Sequence, residues 1–178
     1  VIGLTTIRLN DLPTGSLVAG GLARRIHKAL REPLSKLTND KPMDLNDLKR
    51  IMDVLGSTKA QLGTELLLDH EEAWTQLVSL YEHSFPDHSF LDYFWSYRAI
   101  IGGLYSVLLA PLPQADVYHA LSTGYAGLMA ARAKIETNKP VFVTEHGIYT
   151  NERRIEVTAA DWLEATSSKA LTIDKPRR

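Results

Sequence analysis

Apolar residues recur at helical spacing through most of the chain before residue 110. One stripe begins after Asp44, a candidate N-cap, and stops at Gly56, a candidate C′ residue. This spacing predicts helices over 16–37, 44–55, 59–68, 71–81 and 90–109. The last of these segments is apolar on almost all sides, so we expect it to lie inside the fold.

The pattern changes from helical to β-like after Pro111. We predict strands over 116–120 and 140–145, the second of them buried, with an alanine-rich helix over 125–136 between them. Strand, helix of this length and strand form a βαβ unit, whose strands are parallel and whose crossover is right-handed. A further helix is predicted over 151–165, and a strand over 1–12.

These elements indicate an α/β fold with two parts. Residues 1–110 are predicted to be mostly helical, and residues 111–178 to form the βαβ part with its trailing helix. At 178 residues the two parts together suit one domain, which we expect to be a partial one cut from a longer protein, since the chain starts at Val1.

Composition narrows the class of protein but not its function. Hydrophobic residues make up 44% and charged residues 23%, as in ordinary globular domains, so a disordered tail or a collagen-like repeat is excluded. The net charge of −1 gives no reason to expect nucleic acid or an anionic membrane as a partner. The absence of cysteine excludes a disulfide framework and a thiol nucleophile. The apolar run from Ala99 to Leu112 is too short for the ~20 residues of a membrane span, so we expect no direct membrane span.

Candidate chemistry gathers where the two predicted strands end, because ligands of open parallel sheets bind outside the carboxyl ends of strands. His119 ends the first strand and His146 ends the second, and Gly147 lets backbone approach a ligand closely. The run Ser122-Thr123-Gly124 precedes a helix, whose free N–H groups and dipole favour an anion. The alternative is structural: Ser122 and Thr123 serve only as helix caps, and His119 is a buried, hydrogen-bonded histidine.

Three further signals favour structural interpretations. His83, Asp87 and His88 resemble a metal site only superficially, and a polar loop is the better interpretation. The aromatic cluster at 90–97 suits a carbohydrate or base platform, but Phe94 and Trp95 at helical spacing favour core packing. A packing stripe is predicted for Trp74, Leu77 and Leu80.

A resemblance to a known family goes further than these patterns. The run DVYHALSTGYAGLMAARAKIETNKPVFVTEHGIYTNERRIE, over 116–156, closely resembles PelF-type glycosyltransferases of Pel exopolysaccharide biosynthesis, and the resemblance covers roughly 90–162. It implies a retaining family 4 enzyme of the GT-B fold, with a Rossmann-like parallel sheet and a helical insertion in this chain. It also implies a cytoplasmic, metal-independent enzyme without a cofactor, with a UDP-sugar, UDP-glucose in particular, as donor and a polysaccharide as acceptor.

The resemblance also implies roles for individual residues. His146 matches the histidine at the sugar and phosphate end of the cleft, and is the candidate catalytic residue. His119 and the Ser122, Thr123, Gly124 loop match the acceptor side. Gly147, Tyr149 and Arg153 are candidate substrate-binding residues, and Arg153 either meets diphosphate or belongs to a solvated helix start.

Parts of the family's pattern are absent from the sequence. They are the opening strand with its glycine-rich loop and the C-terminal domain with its nucleotide pocket and paired glutamates. Glu156 and Glu164 have the spacing of that pair but lie in the wrong domain, so they are interpreted as helix surface. We therefore expect no turnover by this chain alone. The alternative function is a non-catalytic interaction domain that docks a membrane polysaccharide synthase complex.

Overall fold

The computed structural model of the chain describes residues 6–9, 12, 20–36, 43–57 and 62–146. Within this part the chain forms six helices and two strands: α1 (Gly20–Ser35), α2 (Leu45–Gly56), α3 (Thr64–Leu67), α4 (Glu71–Ser84), α5 (Phe90–Leu109), β1 (Tyr118–Ala120), α6 (Tyr125–Thr137) and β2 (Val141–Val143). Each predicted helix with described residues is present, with ends that shift by a few positions. Residues 6–9 are in no strand, and the rest of the strand predicted over 1–12, apart from Leu12, lies outside the described residues, as does the helix predicted over 151–165.

Helix α2 shows how local sequence sets an element's ends. Asp44 accepts a hydrogen bond from the Asp47 backbone N–H (2.8 Å), and the Asp47 carboxylate accepts one from the Asp44 N–H (3.1 Å), which is a reciprocal capping box. The prediction for the other end was wrong. Gly56 is the last helical residue rather than C′, and the chain leaves through Ser57 with a right-handed φ of −72°, so no left-handed residue is needed.

The core of the helical part lies where α1, α2, α3 and α5 meet. Its most buried members include Leu30, Ile51 and Tyr105. The fully buried residues of α5 lie in its second half, at 101–108, while in the first half Tyr97 packs against the core only partly buried and Trp95 is more than half exposed. The prediction that the whole of α5 is interior is therefore confirmed for its second half and wrong for its first, where no described element covers the outer face.

The βαβ unit forms as its pattern predicts. β1 and β2 are parallel, with Tyr118 opposite Val141 and Ala120 opposite Val143, and α6 packs on both strands. The prediction that β2 is buried was wrong, because Phe142 is 59% exposed and Val143 is 50% exposed. Helix α6 covers one face of this two-stranded sheet, and nothing in the described part of the chain covers the other.

Helix α6 joins the βαβ unit to the helical part, where its residues Leu128, Ala131 and Ile135 pack against the core and two side chains make polar contacts with α5. Arg132 of α6, itself buried, donates to the carbonyls of Val107 (2.7 Å) and Ala110 (2.6 Å) at the end of α5. The Tyr125 hydroxyl lies 3.3 Å from the Ile100 carbonyl, and its ring occupies the place that a side chain at Gly103 would take. Glycine at 103 therefore lets α6 begin against α5.

In the part of the chain that the structure describes, no helix is long and apolar enough to cross a membrane. The division of the chain at residue 110 stays a prediction, because most of the final third of the sequence lies outside the described residues.

A buried histidine on α1 makes stability depend on pH. His27 donates from Nε2 to the Leu66 carbonyl (2.8 Å) and stacks on His70, and its burial lowers the pKa of the imidazole below the usual 6.5, against the opposing effects of the Leu66 and Gln76 contacts and Glu72. The unfolded chain therefore takes up this proton first as pH falls. We expect the contribution of His27 to the free energy of unfolding to be fully present above pH ~6.5 and to decrease below it, by at most about 1.4 kcal/mol per pH unit for this one group.

Urea unfolding of the chain at a series of pH values between about 5 and 8 measures this decrease. His27→Gln keeps a donor for the Leu66 carbonyl and should remove the His27 part of the slope. His83→Gln, at an exposed position near the end of α4, is the matched control and should leave the slope intact. Equal slopes in the His27 variant and the unmodified chain would contradict the assignment.

Candidate functional site at the carboxyl edge of the strands

The two parallel strands end at the same edge of the sheet, where the sequence places its candidate residues. β1 leads into residues 121–124 and β2 into residues 144–146. A hydrogen bond from the Thr144 N–H to the Ala120 carbonyl (2.8 Å) continues the pairing one residue beyond β2. Both segments are therefore held at the edge where open parallel sheets bind ligands.

His119 lies in the middle of β1, opposite Phe142, and its side chain is exposed. Its Nε2 is 2.7 Å from the Thr144 hydroxyl, so the ring is hydrogen-bonded. Because successive side chains of a strand point to opposite faces, His119 lies on the face opposite buried Ala120, away from α6. The alternative interpretation described His119 as a buried, hydrogen-bonded histidine. The hydrogen bond is present, but the side chain is exposed and not buried. Its hydrogen bond orients the ring on the open face.

Thr144 is a site residue that the sequence analysis did not single out. It lies two positions beyond Phe142, the register partner of His119, and therefore on the same face. The alternation of the strand was visible in the sequence, but the register that brings Thr144 to His119 was not, because register depends on pairing between distant segments.

The loop before α6 differs from its prediction. Gly124, with a φ of +65°, is the N-cap of α6, and no side chain caps the helix. Neither Ser122, which is exposed, nor Thr123, which is half-buried, serves as the predicted cap, because the chain enters α6 through a left-handed turn that favours glycine. The first N–H groups of α6 thus have no side-chain acceptor in the described part of the chain. Uncapped N–H groups of this kind favour oxygen atoms that carry negative charge.

His146 lies three residues beyond the end of β2 and is exposed, as is its neighbour Glu145. The structure thus brings the segments of His119 and His146 to one edge of the sheet. Gly147, Tyr149 and Arg153 lie outside the described residues, together with the two glutamates interpreted as helix surface. The roles that the resemblance implies for all of these residues stay predictions.

A groove of about 240 Å³ lies between β1 and α6 beside this edge. Residues 118–121 line it on the β1 side, and Ala126, Met129 and Ala130 line it on the α6 side. Its lining is mostly apolar, so apolar atoms of a ligand could pack in it beside the polar groups of the edge. It adds few hydrogen-bonding groups of its own.

The possible metal site on the α4–α5 turn is not formed. His83, Asp87 and His88 are exposed, and no group of three His, Asp or Glu residues in the described part of the chain could hold a metal ion. The Tyr81 hydroxyl donates to the His88 carbonyl (2.6 Å), which orders this turn from within. The polar-loop interpretation therefore holds for Asp87 and His88 but not for His83, which lies in the last turn of α4.

The aromatic residues of α4 and α5 are more exposed than predicted. Trp95 is 61% exposed, so the prediction of a core position for it was wrong. The packing stripe is confirmed for buried Leu77 and Leu80, whereas Trp74 is 49% exposed and packs only in part. Half-buried Phe94 lies between them, 6.1 Å from Trp74 and 5.0 Å from Trp95, ring centre to ring centre. We call Trp74, Phe94 and Trp95 the aromatic surface.

Parallel strands joined by a helix, attached to a block of five helices in the described residues, define an α/β protein. The chain belongs to the family described as domain of unknown function DUF3492, which matches residues 15–174. This domain is associated with glycosyltransferase-like proteins in general. Neither the curated proteins nor the solved structures contain a match to the sequence.

Proposed function

We propose that the chain is the acceptor-side part of the N-terminal domain of a retaining GT-B glycosyltransferase of the PelF type. The whole enzyme would transfer a sugar from a UDP-sugar, UDP-glucose in particular, to a growing polysaccharide in the cytoplasm without a metal ion. The observation that carries this proposal is the parallel β1–α6–β2 unit, which holds the candidate loop and the His146 segment at one sheet edge. The association of DUF3492 with glycosyltransferase-like proteins supports it.

In the proposed reaction the bond between the sugar C1 and the diphosphate oxygen breaks, and an acceptor hydroxyl oxygen bonds to C1. The hydroxyl proton passes to the departing diphosphate. An N–H of His146 would donate to the oxygen on which negative charge develops, or to a donor-sugar hydroxyl. His119, oriented by Thr144, and the Ser122–Gly124 loop would position the acceptor. In this proposal the diphosphate clamp and nucleotide pocket lie in the missing C-terminal domain, so this chain alone would not turn over.

The test is calorimetric titration of UDP and UDP-glucose into this chain and into the full-length protein, each with and without His146→Ala. We expect binding by the full-length protein and little or none by the chain alone. His146→Ala in the full-length protein should weaken donor binding or lower the turnover rate by about 10²–10³-fold, as loss of a donor at a developing charge does. His83→Ala removes an exposed histidine of α4 and is the matched control, which should leave both unchanged.

The outcomes also separate the proposal from its alternative. Tight binding by the chain alone that depends on His146 would place the nucleotide on this part and contradict an acceptor-side role. Absence of binding by both proteins would remove the main support for a glycosyltransferase. It would favour the second candidate, an interaction domain for a membrane synthase complex, for which the exposed aromatic surface is the specific observation.

A further inference from the structure

The aromatic surface borders a small concavity between α3 and α5. The concavity measures about 290 Å³, near the lower end of the range for small-molecule sites, roughly 300–1,000 Å³. Trp95 and Arg98 lie on its α5 side and Thr64 and Leu68 on the opposite side. It therefore combines an exposed indole, a guanidinium and a hydroxyl within one recess.

Arg98 is held in place and still has donors to offer. Its Nη1 pairs with the Asp69 carboxylate (2.7 Å) and donates to the Leu68 carbonyl (3.1 Å), while its guanidinium carbon lies 5.6 Å from the centre of the Phe94 ring. A guanidinium has five N–H donors, and those on Nε and Nη2 have no partner in the described part of the chain. Because the group is already oriented, a ligand that uses these donors loses little side-chain entropy on binding.

The charge of the recess indicates what kind of ligand suits it. Arg98 is neutralised by Asp69, and no other lysine or arginine lines the concavity among the described residues. A phosphate would find no uncompensated cation here, whereas stacking platforms for nucleic acid combine aromatic rings with a positively charged groove. The recess therefore favours a neutral ligand with hydroxyl groups.

We propose that the aromatic surface and this recess bind a neutral oligosaccharide whose hexose rings carry equatorial hydroxyls. A hexose ring with equatorial hydroxyls has an apolar C–H face that can lie on an exposed indole, while its hydroxyls accept from Arg98 and donate to Thr64. The second exposed indole, Trp74, lies across Phe94 from Trp95 and offers a platform for a further sugar ring. This inference does not rest on the proposed function, because its residues lie on α3, α4 and α5 and its test measures binding rather than sugar transfer.

The test is titration of the whole chain with cellotetraose, followed by calorimetry and by tryptophan fluorescence. We expect Trp95→Ala and Arg98→Lys each to weaken binding by about tenfold or more, since lysine keeps the charge beside Asp69 but loses the planar set of donors. Trp95→Phe should recover part of the affinity, because it restores an aromatic face. Ile100→Ala removes another exposed apolar side chain of α5, on a different side of the helix, and should leave affinity unchanged.

Several outcomes would overturn the proposal. The first is absence of binding by the unmodified chain, and the second is equal affinity in the Trp95, Arg98 and Ile100 variants. Binding of polyuridylate without binding of cellotetraose would assign the surface to nucleic acid instead. The surface would be assigned to a second copy of the chain by a further result. In that case sedimentation shows a dimer of the unmodified chain and a monomer of Trp95→Ala, and neither protein binds the sugar.

Discussion

Replacement of Tyr105 by alanine is expected to lower the free energy of unfolding by about 3–5 kcal/mol, the range for large aromatic residues removed from cores. Tyr105 is the largest fully buried side chain in the described part of the chain, and it lies in the cluster that includes Leu30 and Ile51. Its loss would leave a cavity bordered by α1, α2 and α5, which these rigid helices can fill only in part. Urea unfolding followed by circular dichroism measures the change.

Trp95→Ala provides the matched control, since it removes an even larger aromatic side chain from the same helix. Trp95 is 61% exposed, so we expect a loss of less than about 1 kcal/mol. The slope of the free energy against urea concentration should stay the same in both variants, which shows that the native state and not the unfolded state has changed. Similar losses from the two substitutions would mean that the first half of α5 is as buried as the second.

Replacement of Arg132 by methionine is expected to cost about 2–4 kcal/mol. Its guanidinium donates to the Val107 and Ala110 carbonyls and pairs with Glu136 at 2.6 Å, and hydrogen bonds to charged groups contribute about 1.5–3 kcal/mol each. The carbonyls at the end of a helix have no partner within the helix, and a cation beside them also complements the helix dipole. Methionine keeps the apolar stem but leaves these acceptors without their donor.

Lys134→Met is the control on the same helix, because Lys134 is exposed and, among the described residues, its ammonium bonds only to Asn138. It should change the free energy of unfolding by no more than about 0.5 kcal/mol. Arg132→Lys should lie between the two, since one ammonium cannot reproduce the forked contacts of arginine. If Arg132→Met lowered the free energy of unfolding by as little as the control does, water would have replaced the guanidinium as donor to the carbonyls at the end of α5.

The positions of helices and strands could be predicted because their causes are local. The stripe and capping residue of α2 lie within one short segment, and the change of period after Pro111 marks the βαβ unit. The wrong predictions concern burial, the entry and exit of helices, and the strand predicted over 1–12, which is absent at residues 6–9. Trp95 and Phe142 are residue types typical of a core helix and a buried strand, but their burial depends on which distant elements cover them. Gly56 is typical of a helix stop, but the helix ends through Ser57 in a right-handed conformation.

The candidate site also has features that the sequence predicted and features that it did not. Its place at the carboxyl edge of parallel strands followed from the order of elements alone, and His119 and the Ser122–Gly124 loop lie there. The hydrogen bond between His119 and Thr144, the absence of a side-chain cap on α6 and the exposure of the His119 ring could not be predicted. Each depends on strand register or on backbone dihedral angles at the turn into α6, and neither leaves a periodic signal in the sequence.

By itself the sequence determined the type and order of the elements from α1 to β2, because apolar period, turn residues and capping residues act over a few positions along the chain. Only the tertiary structure decided that Arg132 closes the end of α5, that Gly103 makes room for Tyr125, and that Trp95 and Arg98 share a recess on the surface. These contacts join residues on different elements or set a helix face toward solvent. They depend on how the helices pack, which is fixed by shape and burial across the whole domain rather than by any one segment.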